Sequence, residues 1–215
     1  MKSYPVQVIF REYFEGILAA CFLALFLRFF VVSVLFMPTD SMEPSLIKGD
    51  FVVGWRLSFG LPLPLMKGER LNFKPPKRGD LISFRFPGDE EQLIVRRVVG
   101  LPGEKISILA GKVIINGKPM VYEEIAEEGT WRESVIGEAS YEIKSLAPND
   151  MPEVTVPQDQ YFVLSDKRSH LDDSRDWGFI PNASIESRLG FRWLSLENGA
   201  DGVRIRWDRL FSFVD

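Results

Sequence analysis

The sequence predicts a mainly β protein, with several short antiparallel strands behind one N-terminal transmembrane helix. Three observations carry that expectation. One apolar run, Gly16 to Phe36, is broken only by Arg28 and Ser33, and a bilayer span needs about 20 such residues. Beyond it, short apolar stretches alternate with Gly, Pro, Asn and Asp turn signals at strand-like spacing. Few helical patterns occur after residue 36, so 37–215 reads as one β domain.

The apolar run is too long for the core of a cleaved leader, and no small-x-small site follows Phe36, so a retained anchor is expected. An arginine at mid-span is costly. A helix from about Val8 or Phe10 to Leu27 places Arg28 at an interface instead, with Phe29–Phe36 as a membrane-proximal strand. Residues 1–36 are thus anchor plus strand. Lys2 and Arg11 precede the helix, but Glu12 and Glu15 blunt the positive-inside signal, so charge alone sets no orientation.

In the domain, Phe51-Val52-Val53 reads as a strand. The stretch Leu57–Leu65 is apolar, and its prolines forbid a helix, making it a buried loop or an exposed apolar surface. Lys77-Arg78-Gly79-Asp80 is a turn feeding the alternating strand Leu81–Phe86. Leu93–Val99 is another strand, on which Arg96 and Arg97 point to opposite faces. Lys105–Leu109 and Lys112–Ile115 form a hairpin around Ala110-Gly111, with Asn116-Gly117 as the next turn. Residues 121–157 are acidic and irregular, an inserted excursion. Tyr161–Leu164, Phe191–Leu196 and Val203–Trp207 are strands, and Ser165–Trp177 is a charged loop.

The net charge of -4 and the lack of a long basic run argue against nucleic acid as a partner. Cys21 is the only cysteine and His170 the only histidine. An internal disulfide and cysteine- or histidine-rich metal sites are excluded, and neither metal nor cofactor is expected. A Ser-His-Asp triad would have to use His170.

The stretch Pro38–Val52 (PTDSMEPSLIKGDFV) combines two prolines, which keep it out of helix and central strand, with Ser41 directly after the apolar segment. A shaped loop presenting a hydroxyl beside a membrane segment is expected.

These pieces resemble the type I signal peptidases, membrane-anchored serine peptidases that use a Ser–Lys pair. Ser41-Met42-Glu43-Pro44-Ser45-Leu46 resembles the nucleophile box and Arg78-Gly79-Asp80 the next. The run from Arg96 to Glu104 (RRVVGLPGE) resembles the box that carries the base. Ser165-Asp166-Lys167-Arg168 with Asp173 to Gly178 (DSRDWG) resembles the last. The resemblance implies a signal-peptidase-like β fold, Ser41 as nucleophile, and an oxyanion hole from the Ser41 N–H and the Thr39 hydroxyl. It also implies supporting pairs Arg97 with Asp166 and Asp173 with Arg175.

The sequence departs from the family at the base. Arg96 stands where the family has its lysine, Ser165 where it has glycine, Lys167 where it has asparagine, and Leu171 where it has the serine that orients the lysine. Arginine ionises far above neutrality, and bringing it to pH 8 costs about 7–8 kcal/mol, so Arg96 is a poor base. Lys167 and His170 are the candidate substitutes.

The function implied is a single-pass endopeptidase of the inner or plasma membrane with its domain on the extracytoplasmic side. It would cut signal peptides from exported preproteins after small residues, through an acyl-enzyme on Ser41. Membrane lipid and the secretion machinery are the other partners implied. The alternative is a catalytically impaired homologue that binds signal peptides or a partner without cleaving. A soluble Ser–Lys autoprotease shares the fold but lacks an anchor.

Overall fold

Val6–Phe26 forms an α-helix, and a π-helical turn over Leu27–Val31 carries it into the first strand. The computed structural model describes residues 6–62, 70–71, 74–125, 129–135, 137–146, 149–199 and 202–214. From Arg11 to Val31 the helix has mean hydropathy 2.1 and none of it is buried. An apolar helix with its backbone bonds internal and no buried side chain from Arg11 to Val31 suits a bilayer. The expected strand Phe29–Phe36 is shorter than the sequence suggests. Val32 N–H donates back to Leu27 O and closes the π turn, so Arg28 stays helical and extended backbone begins at Val32.

Val32–Phe36 is an edge strand of the main sheet and pairs antiparallel with Asp50–Trp55, Phe36 opposite Phe51. The order continues through Ile185–Gly199, Leu81–Phe86, Asp89–Gly100, Gln160–Leu164 and Ile180–Pro181. Gly202–Ile205 and Ser212–Phe213 also pair with the long strand Ile185–Gly199. Two strands outrun the sequence expectation, because bulges let Ile185–Gly199 bend past several partners and charged Asp89–Leu93 continues the ladder beyond the apolar run. Trp207 leaves its strand for a short 3-10 turn, Trp207–Arg209.

On the edge strand Ser33 and Leu35 face inward, while Val34 and Phe36 face outward. Phe36, Phe51 and Trp193 form a ladder of rings with centroids 5.0 and 5.8 Å apart. With exposed Trp55, Leu57 and Leu61 they continue the apolar surface of the helix onto the sheet. Leu57 lies in a 3-10 turn, Arg56–Phe59, and Leu61–Pro62 pairs with Arg70–Leu71. The remainder of Leu57–Leu65, residues 63–65, lies outside the described residues.

The stretch 121–157 is more regular than its acidic composition suggests. Val121–Glu124, Thr130–Ser134 and Ser140–Lys144 form a three-stranded sheet, and Met151–Thr155 pairs with Lys105–Leu109. Buried Tyr141 and Ile143 alternate with Ser140 and Glu142, a period of two hidden among the charges. These strands close over Val99, Ile106, Phe162 and Leu164. The charged loop Ser165–Trp177 likewise ends in one helical turn, Ser174–Trp177, capped by the Asp173 carboxylate.

Asp50 ties the nucleophile loop to the C-terminal segment. Its buried Oδ2 accepts from Ile47 N at 3.0 Å, Arg209 at 2.9 Å and Arg192 at 3.3 Å. Burial pushes its carboxyl up, but the Arg209, Ser195 and Ile47 hydrogen bonds outweigh this and hold it below the ordinary range. A depressed folded value stabilises above the unfolded value, about 3.9, and is lost as pH falls through the folded one. Asp50→Asn is therefore expected to melt below wild type at pH 7, with the gap closing below about pH 4.

Candidate active site

The nucleophile loop is built from below. Met42 and Leu46 are fully buried among Leu35, Met37, Val52, Leu81, Val95 and Leu189, each contributing about 1.5–3 kcal/mol. Met37 N–H donates to Asp50 O and Gly49 N–H to Met37 O, closing the loop at its neck. Gly49 has φ +95, and a Cβ there would meet Leu196 O at 1.9 Å, so only glycine fits. The Glu43–Pro44 peptide bond is cis.

Ser41 is 4% exposed. Its Oγ lies 3.1 Å from Thr39 Oγ1 and accepts from an Arg96 terminal nitrogen at 3.3 Å. Among the described residues its backbone N–H meets no acceptor. Arg96 reaches this point because Ile82 opposite it fixes its place on the Asp89–Gly100 strand. Three of its other four donors go to Asp172 O at 2.7 Å, Val95 O at 2.6 Å and Asp172 Oδ2 at 2.9 Å. Burial pulls the guanidinium below its ordinary value, opposed by Asp172. The side chain is a donor in every contact. It has no lone pair to offer the serine proton.

Arg97 turns to the other face and pairs bidentately with Asp166, both bonds 2.7 Å and both side chains essentially unexposed. It also donates to Gly79 O and Ser45 Oγ, each at 2.8 Å, and lies 4.4 Å from the Tyr141 ring. Burial alone would lower it, yet Asp166 holds it above its ordinary value. Ser45 is thereby fixed four residues beyond Ser41. Asp173 accepts from Arg175 Nε at 2.8 Å, from Arg175 Nη2 at 2.6 Å and from Ser165 N at 2.9 Å. Arg168, beside Asp166, is buried against Glu133, which also accepts from Tyr122.

The two substitute bases do not touch Ser41 Oγ. Lys167 Nζ pairs with Asp40 and, at 3.2 Å, with Glu43, while its backbone N–H donates to Ser41 O at 3.0 Å. The Asp40 hydrogen bond holds the ammonium above its ordinary value and the carboxyl below its own. That moves Lys167 away from a base. His170 Nε2 lies 3.2 Å from the other Asp40 oxygen, with the ring 39% exposed. A cleft of about 620 Å³ between Arg85, Phe86 and Pro181 contains none of these residues.

Three participants escaped the sequence reading. Asp40 and Glu43 flank Ser41 and face Lys167, and Asp172 holds Arg96. Their signal was charge complementarity between the nucleophile loop and the last box. The acidic doublet Asp172-Asp173 marked only its second member.

Residues 10–194 match the sequence profile of the family described as signal peptidase, peptidase S26. Over 217 residues the chain is 31% identical to a probable signal peptidase I-1 of Synechocystis, covering 98% of this chain and 91% of that protein. The chain belongs to the signal peptidase S26 family. It is also 30% identical over 205 residues to a signal peptidase I of Pseudomonas fluorescens, covering 86% of this chain and 72% of that one. A crystal structure of a signal peptidase I from Enterococcus faecalis superposes with TM-score 0.37 at 29% identity, over 54% of this chain and 97% of that chain. That superposition is too loose to add to the sequence match. Membership of the signal peptidase family supports a serine peptidase that removes signal peptides.

Proposed function

We propose that the chain is a membrane-anchored serine endopeptidase that cuts preprotein signal peptides after small residues, with Ser41 as nucleophile. In this reading 1–36 anchors and 37–215 is the extracytoplasmic domain, with membrane lipid against its apolar face. The observation that carries it is the setting of Ser41 Oγ, buried between Thr39 Oγ1 at 3.1 Å and Arg96 at 3.3 Å, beside its own N–H, which meets no acceptor among the described residues. Ser41 Oγ attacks the carbonyl, and Thr39 and the Ser41 N–H receive the oxyanion. The peptide C–N bond breaks as the amine takes a proton from solvent, and water then hydrolyses the acyl-enzyme. Arg96 adds positive charge there but takes no proton. Solvent is left as the acceptor, so cleavage is slow and rises with pH.

The caging of Arg96 by Asp172 also favours a second reading, a homologue that holds signal peptides without cutting them. Incubating the detergent-solubilised chain with a preprotein bearing a small-x-small site separates the two. Cleavage is expected directly after the small residue, with the logarithm of the rate climbing steadily from pH 7 to 10. Lys167→Ala and His170→Ala should keep it within a few-fold. No cleavage at any pH selects the second reading, and loss of cleavage in either variant makes that residue the base.

A further inference from the structure

We propose that Arg96 makes the Ser41 pocket a subsite for the free α-carboxylate of a peptide ending in a small residue, the acid released when a signal peptide is cut. This rests on the peptide-binding site proposed above and names its ligand. Four groups able to donate lie around Ser41. They are the Thr39 hydroxyl, the Ser41 hydroxyl, the Ser41 N–H with no acceptor among the described residues, and one Arg96 terminal nitrogen. Four such groups suit an ionised carboxylate, with its full charge and about four acceptor sites on two oxygens, better than a peptide carbonyl with one neutral oxygen.

Geometry leaves that arm of Arg96 available. Nη1 donates one hydrogen to Val95 O at 2.6 Å and the other to Ser41 Oγ in the longer 3.3 Å bond, while Asp172 holds Nε and Nη2 at 2.7 and 2.9 Å. The Arg96 side chain is 5% exposed, whereas its counter-ion Asp172 is 64% exposed. Asp172 is screened by water and lies on the arms away from Ser41, so positive potential remains on the pocket side. A neutral lysine at this position would carry no such charge. A guanidinium always does. The consequence is product retention, with the cleaved peptide competing against fresh preprotein.

The test is fluorescence anisotropy of a labelled apolar peptide ending Ala-Gln-Ala, as free acid and as C-terminal amide, titrated with the full chain in detergent. The acid should bind about tenfold tighter or more, the worth of one charge-assisted hydrogen bond. Arg96→Gln should erase the preference, and Asp172→Asn, which removes the competing carboxylate, should widen it. Asp172→Asn keeps the test open should Arg96→Gln fail to fold. Equal binding of acid and amide overturns the carboxylate subsite and leaves peptide binding standing. A preference that survives Arg96→Gln, or narrows in Asp172→Asn, also overturns it. If neither peptide binds, the proposed peptide site itself falls.

Discussion

Asp166→Ala is expected to cost the fold about 3–5 kcal/mol, because it strands the Arg97 guanidinium in the interior without its carboxylate. Both side chains are essentially unexposed and joined by two 2.7 Å bonds. A loss of that size is a large share of the roughly 5–15 kcal/mol that holds a domain together. The urea midpoint at pH 7 reads it. Removing both charges in Arg97→Met with Asp166→Leu should recover much of the stability, since a buried pair and a well-packed apolar pair are often near equal. The double variant should nevertheless bind and cleave poorly, because Arg97 also holds Ser45 and Gly79 beside the nucleophile. A fall below about 1 kcal/mol in Asp166→Ala would show that the pair is not what organises this region.

Arg96→Lys with Leu171→Ser is expected to raise cleavage by about 10²-fold at pH 8, the low end of what a positioned general base contributes. Lysine at 96 inherits a site 4% exposed, where burial lowers an ammonium's pKa by several units. Asp172 opposes that change, and the serine hydroxyl is added to orient the amine. Arg96→Lys alone should gain less. The pH–rate profile should also change shape, from a steady climb in wild type to a limb that levels below the free lysine value of about 10.4. A double variant no faster than wild type would mean that Arg96 already does what the lysine does elsewhere in the family.

Most of the site could be read from the chain because its residues come in short runs. Pro38, Pro44 and Gly49 shape the nucleophile loop locally, and strand alternation alone sends Arg96 and Arg97 to opposite faces. What stayed hidden depends on contacts between distant segments. Lys167 and His170 have the chemistry of bases, but Asp40 captures both, across 127 residues in the case of Lys167. The sheet within 121–157 was masked by charges on its solvent face, while its inner face carries Tyr141 and Ile143. The π turn at Leu27–Val31 has no sequence signature among residues that favour helix and strand alike.

Single-turnover cleavage of a preprotein by wild type and Ser41→Ala, at pH 9 in detergent, tests the role of Ser41 most directly. Wild type should release mature protein with its new N terminus just after the small residue. Ser41→Ala should slow this by about 10⁴-fold or more while circular dichroism and melting temperature stay at wild-type values, since the change removes one oxygen from a well-packed loop. Cleavage by Ser41→Ala at the wild-type rate and site would contradict the assignment of Ser41 as nucleophile.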